Sequence, residues 1–353
     1  MSRLTPFARL LIVLAIVAGI FFGAKKFFPQ LGSKTELPEI GKTNGGGDNT
    51  TSEDTKTAGS APSSTGSSST PNSGGSSPVG TLKSGGKFEY TPSVPTGGKL
   101  KGVVELGATG FNSFIINVDK QKNWKLEKAD FGVSLVYEKL TSDQDVKDGL
   151  KKYIADMLAY GVSPRDIHFV ISSGAQKVDI TKKITDFLKN MGFVVNLVTA
   201  SQEGILGYRS VMPKDYQGDA FVVDIGSGNT KIAYMEGGSI KSIEAPGSKY
   251  FQNNTTDESA YADTKAKAAQ VPASLRKTCF VIGGVPYELA KQVRNGKERF
   301  TVLAAPDKYT PKDAKGKAGI NLYKAISDAT DCQQFVFDWD ANFTIGFLLG
   351  LGN

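Results

Sequence analysis

The chain has 353 residues, and 42 Lys+Arg against 35 Asp+Glu give a formal charge of +7. Residues 1–40 carry +3, residues 41–98 carry zero, and only +4 is spread over the remaining 255 or so, too mild for the dense basic face of a nucleic-acid-binding domain. Cys279 and Cys332 lie far apart without a CxxC, and His168 is the single histidine, which excludes a disulfide framework, a zinc ribbon and a His-rich metal site.

Leu10 to Ala24 is an unbroken apolar run, with Arg3 and Arg9 before it and Lys25 and Lys26 after it. Its length falls short of the roughly 20 residues of a membrane-spanning helix, but Phe7, Ala8, Phe27, Phe28 and snorkelling basic residues extend it. A cleaved signal peptide is the rival reading. The Phe-Phe-Gly-Ala-Lys-Lys-Phe-Phe that follows is a poor cleavage site, so residues 1–40 are read as an uncleaved N-terminal membrane anchor, with the bilayer as partner. Residues 41–98, rich in Gly, Ser and Thr, cannot bury enough surface to fold and are read as a disordered linker with a reach of about 40 Å. Such a neutral tether tilts the expected topology toward a single pass with the rest on the periplasmic or extracytoplasmic side.

From Lys99 onward strands alternate with helices twice, which predicts an α/β fold with lobes at 99–212 and 213–353. Val103 to Leu106 and Phe114 to Val118 form a hairpin across Gly107 to Gly110, and Gly132 to Tyr137 is a candidate third strand. Helical spacing follows over Val146 to Tyr160 and Ile180 to Met191, and strands over Ile167 to Ser172 and Phe193 to Val198. Ser201 is the expected N-cap of a helix running to Val211. The second half repeats the pattern: Ala220 to Ile225, Lys231 to Met235 and Ser239 to Glu244 form a meander. Thr278 to Ile282 then ends in Gly283-Gly284 before a helix over Val285 to Val293. Phe335 to Phe337 is a strand, and Phe343 to Leu351 a closing core helix too short to span a membrane. His168 is read as a strand-edge residue in preference to a catalytic one.

Two acid-ended strands, each followed by a Gly/Thr turn, and a later Gly-Gly strand-to-helix turn resemble the phosphate and adenosine motifs of the actin, sugar-kinase and heat-shock-chaperone ATPase superfamily. Within it the chain is most similar to the exopolyphosphatase and guanosine pentaphosphate phosphatase family. Glu105-Leu106-Gly107-Ala108-Thr109-Gly110-Phe111 resembles the family's Asp-x-Gly-Ser-Asn-Ser-Phe, with Glu for Asp and Thr for Asn. Val170-Ile171-Ser172-Ser173-Gly174 resembles its Val-Ala-Thr-Ser-Ala, without the Arg that follows, for which Gln176 or Lys177 would have to serve. Gln202-Glu203-Gly204-Ile205-Leu206-Gly207-Tyr208-Arg209-Ser210-Val211 resembles its Glu-Glu-Ala-x-Leu-x-Tyr-x-Gly-Val. Asp224-Ile225-Gly226-Ser227-Gly228-Asn229-Thr230-Lys231 resembles its Asp-Ile-Gly-Gly-Gly-Ser-Thr-Glu, with Lys in place of the last acid.

The resemblance implies duplicated actin-like, ribonuclease H-like domains flanking a cleft, here preceded by one transmembrane helix and the linker. It implies a membrane-anchored phosphoanhydride hydrolase in which Mg2+ assists water attack on the terminal phosphate of polyphosphate or a phosphorylated nucleotide. Glu203 is then the catalytic base, against the alternative of an exposed first-turn Glu favoured by the helix dipole. Glu105 and Asp224 are the expected metal residues. Asp224 has a turn-forming alternative. Gly107, Thr109, Ser173, Gly226, Ser227, Gly228, Asn229, Thr230, Lys231, Gly283 and Gly284 are the expected phosphate-binding residues, since Gly turns let backbone N–H groups approach an anion. Lys231 is open between a phosphate-attracting charge and a solvated strand residue. A catalytically weak sensor or actin-like scaffold at the membrane stays open beside the hydrolase, and a homodimer beside a monomer.

Overall fold

A computed structural model describes residues 88–107, 110–131, 143–177 and 179–352. The described residues all belong to one compact unit, within Pro78–Asn353.

β1 (Lys99–Gly107) and β2 (Gly110–Val118) pair antiparallel, from Lys99 opposite Val118 to Gly107 opposite Gly110. The third strand of the meander is β3 (Trp124–Phe131), earlier than the expected Gly132 to Tyr137, which lies outside the described residues. Asp119 shapes the intervening turn by accepting the backbone N–H of Asn123 at 2.9 Å, and Lys122 adopts φ +64° there. β3 is half-exposed and charge-rich, as an unpaired sheet edge should be. α1 (Asp143–Tyr160), β4 (Ile167–Ile171), α2 (Asp179–Asn190) and β5 (Val195–Leu197) complete a sheet of order β3-β2-β1-β4-β5, with β4 parallel to both β1 and β5. Its core joins Val104, Leu106, Ile115 and Phe169 to Leu150 and Met157 of α1 and Ile184 and Leu188 of α2.

α3 (Ala200–Val211) is capped two residues earlier than expected. Thr199, not Ser201, holds the end: its hydroxyl accepts from Gln202 N at 3.2 Å, and the Gln202 side chain accepts from Thr199 N at 2.8 Å. This reciprocal capping box satisfies two end donors at once, where a Ser201 cap would leave Gln202 unused.

The second sheet starts with β6 (Ala220–Ile225), β7 (Asn229–Glu236) and β8 (Ser239–Pro246). α4 (Asp257–Ala268), β9 (Thr278–Ile282), α5 (Gly284–Val293), β10 (Phe300–Val302), α6 (Ala314–Thr330), β11 (Gln334–Asp338) and α7 (Phe343–Gly350) follow. The strand order is β10-β11-β9-β6-β7-β8. Without β10, it repeats the first sheet: a three-stranded meander extended by two parallel strands. Cys279 and Cys332 are free and buried in this sheet's core, and burial pushes the Cys332 thiol up to about 12.

Two segments tie the sheets together. Phe88 and Tyr90 lie as irregular chain; the Phe88 ring sits 5.4 Å from Tyr216 and from Phe300 and 5.6 Å from Phe280. A few residues on, Thr96 N donates to Asp119 of the first sheet at 3.1 Å. At the other end, Phe343, Ile345, Leu348 and Leu349 of α7 return from the second sheet to pack on Val103, Phe114 and Ile116. Burial of each such side chain contributes on the order of 2 kcal/mol. The carbonyls that end this helix are met by buried Lys101, 2.9 Å from Gly352 O, and by Lys122, 2.6 Å from Leu351 O.

Among the described residues no helix is long and apolar enough to cross a membrane. The most apolar, α7, has eight residues and spans about 12 Å against a hydrocarbon core of about 30 Å. The expected single-pass membrane protein is corrected accordingly, and with it the transmembrane helix, the lipid-bilayer partner and the periplasmic or extracytoplasmic side. Residues 1–40, from which the anchor was read, and residues 41–87 of the linker lie outside the described residues.

α3 and α7 cross at Gly346, where an added Cβ would lie 1.9 Å from Leu206 O and 2.7 Å from its carbonyl carbon. Backbone cannot yield as a side chain can, so Gly346→Ala should destabilise the full chain by about 3 kcal/mol in urea unfolding. The same change at Gly218, with open space around it, should be neutral.

Candidate functional site

The register of β6, β7 and β8 lays three charged residues in a row. Asp224 stands opposite Lys231, and Lys231 opposite Glu244, so acid, base and acid share one face. α3 packs on that face. Gly204 makes the approach close enough: a Cβ there would fall 2.0 Å from Ser242 Oγ and 3.2 Å from Lys231 Cβ.

The consequence is an ion-paired centre. Lys231 Nζ lies 2.5 Å from Glu203 Oε2 and 3.4 Å from Asp224 Oδ2, and all three residues are buried. Burial pulls the Lys231 ammonium toward neutrality, but the adjacent Asp224 and Glu203 carboxylates outweigh it and hold it charged. The other Glu203 oxygen accepts the Ser173 backbone N–H at 2.5 Å. Glu203 is therefore neither the exposed first-turn residue nor a carboxylate aimed at open solvent. Removing one member of such a buried cluster strands the rest, at a cost of about 3–5 kcal/mol.

The turn after β4 meets the turn after β6 here. Ser173 Oγ accepts from Asn229 Nδ2 at 3.3 Å, Asn229 also donates to Glu244 at 2.8 Å, and a Cβ on Gly228 would sit 3.9 Å from Gly174 Cα. Gly226 N donates to Asn229 O at 3.1 Å, and Ser227 O accepts from Lys249 N at 3.0 Å, which fixes the Gly226–Asn229 turn. Gly283, at φ +100°, lies against Asp224: a Cβ would come within 2.3 Å of Oδ1. No L side chain is tolerated there.

Glu105, at the end of β1, is held differently. Its Oε2 accepts from Asn112 at 3.1 Å, directly opposite on β2, and from Asn342 at 3.2 Å, the residue that caps α7. Burial raises its pKa from 4.5 to about 7; the two Asn donors resist, and the negative charges of Glu203 and Asp224 add to the rise. Gly107 brings the β1–β2 turn beside this carboxylate, 3.1 Å from Oε1 to an added Cβ.

The structure thus brings together Glu105, Gly107, Ser173, Glu203, Asp224, Gly226, Gly228, Asn229, Lys231 and Gly283, with Ser227 on the same turn. Thr109 lies outside the described residues. Thr230 is fully buried and donates its hydroxyl to Pro246 O at 2.8 Å, so it serves the sheet. Gly284 opens α5 and lines a separate cavity of about 360 Å³ with Val285, Leu289, Lys312, Lys315 and Ile320. Gln176 donates its amide to backbone carbonyls, at 2.8 Å for Val198 O, and does not replace the missing Arg. His168 sits in β4 with its ring 5.8 Å from Phe347, away from these contacts. Asn112, Glu244 and Asn342 went unnoticed in the sequence. The hairpin register alone would have placed Asn112 opposite Glu105.

Mg2+ assistance with Glu203 as base is not supported by this donor set. Among the described residues no group of three or more His, Cys, Asp or Glu could hold a metal ion. The reason is local: the Lys231 ammonium sits against Glu203 Oε2 and Asp224 Oδ2, Ser173 N–H takes the other Glu203 oxygen, and the two Asn amides take Glu105 Oε2. Mg2+ needs free carboxylate oxygens and near-octahedral room.

No family model and no curated protein matches the sequence. Solved structures do match in fold. A Ppx/GppA family member from Aquifex aeolicus is 16% identical, with 71% of this chain and 96% of that chain covered and a TM-score of 0.51. An exopolyphosphatase from Cytophaga hutchinsonii is 12% identical, with 72% and 99% covered and a TM-score of 0.55. An exopolyphosphatase-like protein is 13% identical, with 72% and 98% covered and a TM-score of 0.53. The likeness is one of fold.

Glu105 makes stability depend on pH with a definite sign. Because its folded pKa is above the unfolded one, its contribution is full below about pH 4.5 and is lost as pH rises through about 7. The loss amounts to about 3 kcal/mol. Urea unfolding of the full chain at about pH 5 and pH 8 should show this fall in wild type and its near absence in Glu105→Gln. Equal slopes in the two proteins would show that Glu105 is not the titrating group.

Proposed function

We propose that this chain binds the terminal phosphate of a phosphoanhydride anion, polyphosphate or a phosphorylated nucleotide, at the Gly226–Asn229 turn, and turns it over little or not at all. The observation that carries the reading is the Lys231 ammonium held beside that turn: a Cβ on Gly226 would lie 3.8 Å from Lys231 Nζ. Successive backbone N–H groups, the Ser227 hydroxyl and the Asn229 amide offer donors to phosphate oxygens, and Lys231 supplies the fixed positive charge behind them. The matched exopolyphosphatase fold supports a phosphate-chain ligand by analogy.

The same geometry argues against efficient hydrolysis. A general base must be free to take the proton of the attacking water. Glu203 instead accepts from Ser173 N–H and is paired to Lys231, so both of its oxygens are already engaged. Binding must part the Ser173–Asn229 hydrogen bond, so phosphate oxygens replace an internal contact and enter no open hole.

Calorimetric titration of the full chain with tripolyphosphate in excess chelator should give saturable binding, weakened about tenfold in Asn229→Ala through loss of a donor to a charged group. Phosphate release should stay at the level of Glu203→Gln. Absence of binding overturns the reading, and release that Glu203→Gln abolishes replaces it with hydrolysis.

A further inference from the structure

The acid that ends the family-like motif is replaced by Lys231, and the structure shows where that replacement goes. An acid at this place would give, with Glu203 and Asp224, three buried carboxylates facing one another, a charge of −3 that a divalent ion would reduce to −1. With lysine the balance is two carboxylates and one ammonium, again −1. Lysine therefore does the electrostatic work of an acid and a divalent ion together.

Geometry makes the exchange specific. Lys231 Nζ lies 2.5 Å from Glu203 Oε2 and 3.4 Å from Asp224 Oδ2, in contact with both carboxylates as a bridging cation would be. It is placed there by three constraints: its pairing opposite Asp224, the close approach of α3 at Gly204, and Gly283 pressed against the far oxygen of Asp224. Glu105 stands apart from this pair, its Oε2 held by Asn112 and Asn342. An ammonium has no coordination shell to share with a substrate. It donates hydrogen bonds and charge, and cannot polarise a bound water as a divalent ion does.

We propose that Lys231 is the permanent cation of this cleft: it fills the position between Glu203 and Asp224 that a divalent metal would take, so the site neither holds nor needs a metal to receive its anion. The inference rests on the binding function proposed above, and it extends that reading to the site's cofactor requirement.

The test uses Mn2+ alone as probe, with no anion, so that it does not depend on tripolyphosphate binding. Full-length wild type, Glu203→Gln, Lys231→Glu and Lys231→Glu/Asp224→Asn are titrated, and the free Mn2+ signal is followed by electron paramagnetic resonance. Wild type should take up no more Mn2+ than Glu203→Gln. Lys231→Glu should gain a single Mn2+ per chain, lost again in the double variant, and its melting temperature should rise with Mn2+ while that of wild type does not. If Lys231→Glu cannot be obtained folded, Lys231→Gln, which is one atom shorter and removes the charge, decides by the same gain. Wild type that binds Mn2+ in a manner abolished by Glu203→Gln overturns the proposal, and so does a folded Lys231 variant that gains none. Failure of tripolyphosphate to bind while the Mn2+ results hold would remove the ligand reading and leave the cation assignment standing.

Discussion

A lysine ammonium buried between two carboxylates is the interaction on which the site depends. Such a cluster stabilises little in itself, because desolvation consumes most of the attraction, but loss of any one member is costly. The surrounding backbone is arranged to permit it. Gly204 lets α3 reach β7 and β8, Gly283 leaves room for the Asp224 carboxylate, and the register of β6 with β7 sets Asp224 opposite Lys231. Each is a place where a Cβ or a one-residue slip would separate the charges. The contacts also bind the two sheets, since Glu203 joins the turn after β4 to the second sheet through Ser173 and Lys231.

Around this centre the charges are sorted by environment. Glu203 and Asp224 share a cation, whereas Glu105, buried without one, is held by amide donors and has its pKa pushed to about 7. Neighbouring carboxylates of one site thus stand in different environments, one pair against a cation and one against amide donors. In the proposed reading the Lys231 pairing stands in place of a free base and an open metal position, while the donors of the Gly226–Asn229 turn remain beside Lys231. Fold likeness to exopolyphosphatases and a site with altered chemistry are compatible, because function resides in the site and not in the sheets that carry it.

Much of the fold was legible because its strands end in marked turns. Ala220–Ile225 and Thr278–Ile282 occupy the expected residues, as buried apolar runs stopped by glycine should. β3 was missed because its apolar residues, Trp124, Leu126 and Ala129, alternate with charges on a half-exposed edge and never form a run. α4 escaped notice because its buried face is built from small residues, Ala260, Thr264 and Ala268, whereas α6 buries Leu322, Tyr323 and Ile326 beside small Ala318, Gly319 and Ala325. Of the site, the residues within motifs were legible and their partners were not. Asn342 reaches Glu105 from 237 positions away, and nothing local in the sequence marks that meeting. Lys231 read ambiguously because a strand lysine is ordinarily solvated; only the approach of α3 decides that it is buried.

A structure of the full chain crystallised with tripolyphosphate in chelator tests the central claim most directly. The account predicts a terminal phosphate on the Gly226–Asn229 turn within hydrogen-bonding reach of Lys231, with the ammonium still between Glu203 and Asp224. A phosphate bound elsewhere, or Lys231 swung out with a metal ion in its place, would contradict it.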